Sequence, residues 1–304
     1  DFYKRTCAKY SHFLNTANPS FLLSGEGILG LEAACASLTE PGDRVLVLDN
    51  GIFGRGFADF VRIYGGEPVL FSTDPHAPIV PEALRAFLKK DADFRYATLV
   101  HCDTPSGVLN DIHALCPILK EYGILTVVDS VSGMFGNPVD ARRAKIDVLL
   151  GGSQKALSCP TGLTMVTVSQ DAFRRMEARK TPIASFYANL LALRDYYEKQ
   201  WFPYTMPACD IHGFARALDK SAANIVALNC LVREAYQQGC VEQVLPYLEA
   251  ALACSEEAEA VRVTLAGCLI YLGRSDEARQ HLETVLGANP SNNNAKELFD
   301  TMAA

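Results

Sequence analysis

Over the first 170 or so residues, short runs of aliphatic and β-branched side chains alternate with longer stretches whose apolar residues recur at helical spacing. The runs are Val45 to Leu48, Pro68 to Phe71, Ala97 to Val100, Leu125 to Val128, Ile146 to Leu150 and Leu163 to Val168. Gly27 to Leu38, Gly54 to Tyr64, Pro81 to Lys90 and Ile112 to Tyr122 carry the helical spacing. This alternation predicts an α/β fold, a mostly parallel sheet covered by helices. No helical stretch separates the last two runs, so the sheet is expected to be mixed.

Beyond about Ser221 the strand-like runs stop and a self-similarity of 34 residues begins, pairing Leu231 with Leu265, Gly239 with Gly273 and Leu248 with Leu282. The segment resembles two tetratricopeptide (TPR) repeats. Leu265, Ala266, Gly273, Ala278, Leu282 and Pro290 fall at consensus positions of the second; in the first, Val244 stands where alanine is usual and Glu256 where proline is usual. Two domains are therefore expected: an α/β domain over residues 1–215 and an all-α helical-repeat module over residues 221–304.

A chain of 304 residues, 49% of them hydrophobic, has ample apolar surface for two cores. Residues 221–304 hold five basic and eleven acidic side chains, most of the total charge of −7, and neither part has the basic surface that nucleic acid requires. No apolar run approaches the roughly 18 residues that cross a bilayer, and Asp1 to Tyr10 lack a signal-peptide core, so no membrane association and a cytoplasmic location are expected. The first residue is not methionine, which points to a start further upstream. The ten cysteines include no C-x-x-C pair, which favours buried thiols in a reducing compartment over a zinc site or disulfides, and no metal is expected.

The chemistry-bearing residues cluster at strand ends. Leu125 to Asp129 is a buried run ending in a carboxylate, and Gly151-Gly152-Ser153-Gln154-Lys155 follows another run and places one lysine in a small-residue loop, 26 positions after Asp129. Alone, Asp129 reads as a cap or metal ligand and Lys155 as a solvated loop lysine. Together they are the pair that a pyridoxal phosphate (PLP) enzyme needs: an amine to hold the cofactor and an acid to keep its ring nitrogen protonated. Ser24-Gly25-Glu26-Gly27-Ile28-Leu29-Gly30 opens a helix whose unpaired N–H groups can hold phosphate. It also fits G-x-G-x-x-G, with Asp49 at the end of the next strand, so an NAD-dependent oxidoreductase is a rival reading. His101 to Gly107 follows a third strand, where His101 reads as a structural histidine; no Ser-His-Asp triad is present.

In order, Ser24 to Gly30, Asn50 to Gly54, His101 to Gly107, Val128 to Ser132 and Ser153 to Leu157 resemble the class V aminotransferases of PLP fold type I, above all the alanine:glyoxylate and serine:pyruvate group. The resemblance runs collinearly across roughly 200 residues. It implies that Lys155 is the catalytic Schiff-base lysine and proton shuttle, that Asp129 pairs with the pyridine nitrogen, and that Phe53 stacks on the ring. It further implies that Gly27, Ile28 and Gln154 contact the phosphate, that the Thr104 hydroxyl reaches the cofactor's polar edge, and that Thr205 reaches the phosphate of a partner subunit in a homodimer. Apart from that resemblance, Phe53 could be core and Thr205 a helix cap.

Glu26 stands where a small hydroxyl residue is common, Pro105 replaces a hydroxyl residue, and Phe202 stands where some members have tyrosine. After Lys220 the family continues into a small domain that supplies an arginine for the substrate carboxylate; here the TPR-like segment follows instead. An upstream segment that helps to close the family's site also has no counterpart. The expected activity is amino-group transfer between a small amino acid of the alanine or serine type and a 2-oxo acid of the glyoxylate or pyruvate type. The alternatives are a catalytically impaired PLP-domain scaffold that binds a protein or peptide partner through its repeats, a 2-aminoethylphosphonate:pyruvate aminotransferase suggested by the His-Cys-x-Thr loop, an artefactual junction near Lys220, and, last, the NAD-dependent oxidoreductase.

Overall fold

The six apolar runs, joined by the segment before the glycine-rich turn, become seven strands of one sheet: β1 Ser20–Ser24, β2 Arg44–Asp49, β3 Glu67–Ser72, β4 Tyr96–Val100, β5 Leu125–Asp129, β6 Val148–Gly152 and β7 Leu163–Val168, in the order β1-β7-β6-β5-β4-β2-β3. The computed structural model describes residues 2–221, 232–233, 235–252 and 258–302. These form two compact units, Asp1–Ala215 and Arg216–Ala304.

Strands β3, β2, β4, β5 and β6 are parallel, β7 is antiparallel to β6, and β1 is antiparallel to β7. The mixed sheet expected from the missing helix between β6 and β7 is observed. β4 to β7 are buried along their whole length because helices cover both faces, which is why they read as continuous apolar runs. β3 alternates between exposed and half-buried positions, as an edge strand does. Since β1 and β6 both oppose β7, they run the same way, and the helix after β1 starts at the edge where the parallel strands end.

The helices are α1 Phe2–Phe13, α2 Gly27–Leu38, α3 Ile52–Ile63, α4 Pro81–Leu88, α5 Ile112–Glu121, α6 Gln170–Glu177 and α7 Ala208–Ser221. α2, α4 and α5 lie where the apolar spacing places them, and α3 begins two residues before the expected Gly54. α1 and α6 are additions to the sequence reading. α1 buries Thr6, Cys7, Tyr10 and Ser11, so half of its inner face is polar and the pattern is masked. α6 is short and half of its residues are charged, but Ser169 caps it by accepting from the Ala172 N–H, and Ala172, Phe173 and Met176 face inward.

In the second unit a 3₁₀ turn at Val241–Val244 leads to helices Leu245–Leu252, Ala258–Tyr271, Ser275–Ala288 and Asn293–Thr301. Gly239 and Gly273 adopt positive φ (67° and 74°) at the ends of helical segments, the backbone that glycine accepts without strain. Leu248, Leu265, Ala266, Ala278 and Leu282 are buried together. Leu231 and Glu256, and two of the ten cysteines, Cys230 and Cys254, lie outside the described residues.

All eight described cysteines are free thiols; Cys7, Cys35, Cys116 and Cys268 are buried. Cys209 is exposed, against the expectation of buried thiols, because it lies in the first turn of α7 on the side away from Ile211 and Phe214. Among the described residues no group of His, Cys, Asp and Glu could hold a metal, and no helix is long and apolar enough to cross a membrane.

Candidate active site

The C-terminal ends of parallel strands collect the loops of an α/β sheet, and a cleft opens there. It is lined by Glu26, Gly27, Ile28, Leu31, Phe53, Cys102, Thr104, Asp129, Val131, Ser132, Gln154 and Lys155 and encloses about 170 Å³. Seven of the eight residues singled out from the sequence, scattered from position 27 to 155, therefore meet in one place. Thr205 does not: it lines a separate apolar pocket with Phe2, Tyr3, Phe202 and Ile211.

Asp129 ends β5 and is 6% exposed. Burial pushes its carboxyl from 3.8 up to about 6; a hydrogen bond from the Val131 N–H and the Lys155 charge pull it down, while Asp103 and Glu26 push it up. The Val131 N–H donates to Oδ1 at 2.9 Å, and among the described residues Oδ2 accepts no hydrogen bond. Such a carboxyl can bind a cationic N–H, which would return it to its charged form.

Lys155 lies in the turn after β6, and the buried Ser153 holds that turn in shape. The Ser153 hydroxyl donates to Pro160 O at 2.6 Å and accepts from the Leu163 N–H at 3.3 Å, while Ser153 O accepts from the Cys159 N–H at 3.0 Å. Glycines 151 and 152 keep the approach narrow, since a Cβ on Gly152 would meet Val131 Cγ1 at 2.9 Å.

The first turn of α2 borders the same cleft. Gly27 packs so closely on Val131 that a Cβ would sit 2.7 Å from Cγ2, which leaves backbone rather than side chain facing the cleft. Thr164 fixes this turn from β7 by donating to Glu26 O at 2.6 Å. The Glu26 carboxylate does not point away from the cleft. It caps the helix by accepting from the Ile28 N–H at 3.0 Å, and the Gln154 amide donates to its other oxygen at 3.3 Å. Gln154 Oε1 is buried without a partner among the described residues.

On the opposite side, Phe53 leads α3 into the cleft and Thr104 hydrogen-bonds Ser132. His101 stands below the cleft, 3% exposed, with Nδ1 2.8 Å from Ser130 Oγ; burial pushes its imidazole down to about 4, so it is a neutral structural group. The dinucleotide reading fails on two counts. The strand before the glycine-rich turn pairs only with antiparallel β7, and the Asp49 carboxylate is held by Arg55 (2.8 Å) and Ser72 (2.8 Å).

These residues fit PLP: an amine and a carboxyl share the cleft with an aromatic side chain and a helix N-terminus. Lys155 and Asp129 would hold the aldehyde and ring nitrogen ends, Phe53 a ring face, and Gly27, Ile28 and Gln154 the phosphate. Sequence reasoning left Val131, Ser132 and Cys102 unassigned, though all lie in quoted motifs. It also passed over Asp103, whose signal was local: an aspartate opening Asp-Thr-Pro-Ser-Gly is a turn former.

The family profile described as Aminotransferase class-V matches residues 8–227, and the Tetratricopeptide repeat profile matches residues 235–298. The pyridoxamine–pyruvate transaminase of Mesorhizobium japonicum is 34% identical over 71% of this chain and 56% of its own length. The alanine–glyoxylate aminotransferase of Callithrix jacchus is 29% identical over 68% of this chain and 51% of its own. The crystal structure of the pyridoxamine–pyruvate aminotransferase from Mesorhizobium loti superimposes with a TM-score of 0.68 at 32% identity, covering 72% of this chain and 56% of that one. The chain thus spans about half the length of the curated relatives it matches.

Proposed function

The chain belongs to the class-V aminotransferases, a PLP-dependent family, and on that premise we propose that it transfers an amino group between a small amino donor of the alanine or serine type and a 2-oxo acid of the glyoxylate or pyruvate type. The observation that carries this reading is the meeting of Lys155 and Asp129 in one cleft at the C-terminal edge of the sheet. Bound there, PLP supplies an electron sink for the carbanion left when the substrate Cα loses a proton. The Lys155 amine takes the proton from the substrate Cα and later returns one. Asp129 holds the proton on the ring nitrogen by its charge, Phe53 covers one ring face, and the Thr104 hydroxyl serves the polar edge. The resemblance extends the proposal to a homodimer in which Thr205 reaches the partner's phosphate, and to a protein or peptide partner on the repeats. Purified protein with PLP should convert alanine and glyoxylate to pyruvate and glycine. Absence of turnover with both alanine and serine would sink this reading, and turnover with 2-aminoethylphosphonate alone would replace it.

One observation favours a second reading. The Glu26 carboxylate already occupies the α2 N–H group and the Gln154 amide that would serve a phosphate. An anion there disfavours a second anion and suits a ring that carries no phosphate. Pyridoxamine, the donor named for one relative, has that chemistry, and pyruvate would be its acceptor. The readings separate in a binding titration. If PLP is the resident group, the wild type binds PLP at least as tightly as pyridoxal, and Glu26→Ser tightens PLP about tenfold by removing the competing charge. If pyridoxamine is the donor, the wild type prefers pyridoxal and Glu26→Ser reverses the order.

A further inference from the structure

Helix α3 begins without a local cap: its N-cap is Gly51, which has no side chain to accept the first orphan N–H groups. The cap comes from another loop. Asp103, 1% exposed, accepts from the Phe53 N–H at 3.3 Å through Oδ1. Its Oδ2 accepts from the Ser106 hydroxyl at 2.9 Å and the Ser106 N–H at 3.3 Å, and its own backbone closes the loop through Gly107 N (2.8 Å) and Val108 O (3.0 Å). The fit is close on the helix side. A Cβ on Gly51 would stand 2.5 Å from the Asp103 carboxyl carbon, so the glycine of Asn50-Gly51 is what admits the carboxylate.

The residues that Asp103 joins are those facing the cleft. Phe53 carries the bonded N–H, and Cys102 and Thr104 flank Asp103 in sequence; all three line the site. A second tie runs alongside, where the amides of Asn50 and Asn110 bond each other (3.1 and 3.2 Å) and Asn110 donates to Val100 O at 2.7 Å. That pair fixes the ends of β2 and β4, while Asp103 fixes what projects beyond them.

Resting on the cofactor reading above, we propose that Asp103 is a positioning residue: it caps α3 from the neighbouring loop and so locks Phe53 and Thr104 into one arrangement against the bound ring. The carboxylate also adds negative charge beside Asp129, in keeping with the raised Asp129 carboxyl. A rigid aromatic wall and hydroxyl edge cost the ring less ordering than mobile ones, which is the general reason to spend a buried carboxylate there.

The test compares wild type, Asp103→Ala, Asp103→Asn and Phe53→Leu, with the double variant of Asp103→Ala and Phe53→Leu. Two things are read: amide hydrogen exchange of the ligand-free protein, and PLP affinity together with the visible circular dichroism of bound PLP, which reports ring orientation. Asp103→Ala should speed exchange at Phe53 to Arg55 while leaving α2 protected, weaken PLP about tenfold to a hundredfold, and alter the dichroism. Asp103→Asn keeps an acceptor for the Phe53 N–H and should stay within a few-fold of wild type. In the Phe53→Leu background Asp103→Ala should cost much less, because the group it positions has gone. Equal losses in both backgrounds, or wild-type affinity and dichroism in Asp103→Ala, overturn the proposal and leave the cofactor reading intact. Wild-type protein that binds no PLP overturns the cofactor reading and this one with it.

Discussion

Lys155→Ala is expected to abolish amino transfer, by about 10⁴-fold or more, and to remove the visible absorption band that PLP develops on the wild-type protein and that borohydride bleaches. The residue is placed to have this effect. It lies at the end of β6 in a turn pinned by the buried Ser153, and it shares the cleft with the Asp129 carboxyl. Removal of the amine deletes both the covalent anchor and the group that moves the Cα proton, and among the described residues no other lysine lines the cleft. The turn itself should survive, because its hydrogen bonds come from Ser153 and the backbone, so the variant should melt within a few degrees of wild type. Retained turnover in Lys155→Ala would displace the lysine from its role. A wild type with no turnover but intact partner binding through the repeats would favour the scaffold reading instead.

Asp129→Asn should separate stability from activity. Burial raises the carboxyl from 3.8 to about 6, so the ligand-free native state binds its proton more tightly than the unfolded chain does. The stability this contributes is fully present below pH 3.8 and is lost as pH rises through about 6. Above that pH the native state holds a poorly solvated charge, at a cost of about 3 kcal/mol. An asparagine is never charged and can still accept from the Val131 N–H. The ligand-free variant should therefore melt several degrees higher than wild type at pH 8, with the gap closing by pH 4. Turnover should fall about 10³-fold, since the charge that holds the ring-nitrogen proton is gone. Equal melting temperatures at pH 8 would mean that water reaches the carboxylate and that burial does not control it.

Much of this was legible in the chain. Strand runs such as Leu125 to Val128 and Leu163 to Val168 are apolar because both faces of the sheet are covered, and a pattern imposed by burial can be read back as burial. The missing helix between β6 and β7 announced an antiparallel pair for a topological reason: a two-strand connection too short for a crossover must reverse direction. The glycine, aspartate and lysine motifs fell at strand ends, and the ends of parallel strands share one edge, so Gly27, Ile28, Phe53, Thr104, Asp129, Gln154 and Lys155 had to come near one another. The 34-residue spacing of Gly239 to Gly273 and of Leu248 to Leu282 was visible because both glycines turn the backbone at positive φ and both leucines are buried.

Tertiary structure alone decided which groups those residues meet. Whether Glu26 would face the cleft or turn from it depended on the Ile28 N–H and the Gln154 amide, the latter more than a hundred positions away. The sequence reading began α3 at Gly54, but the helix begins at Ile52, because the acceptor for the Phe53 N–H is Asp103 of another loop. α1 escaped notice because Thr6 and Ser11 put hydroxyls on its buried face, Thr6 donating to Phe2 O one turn back and Ser11 to Asn18 O beyond the helix end, so the apolar spacing is interrupted. Periodicity along a chain records which side of an element is dry. It carries no record of the hydrogen-bond partners that elements exchange across space, and in this cleft those exchanges set the cap of α3 and tie Gln154 to the Glu26 carboxylate, while burial sets the state of Asp129.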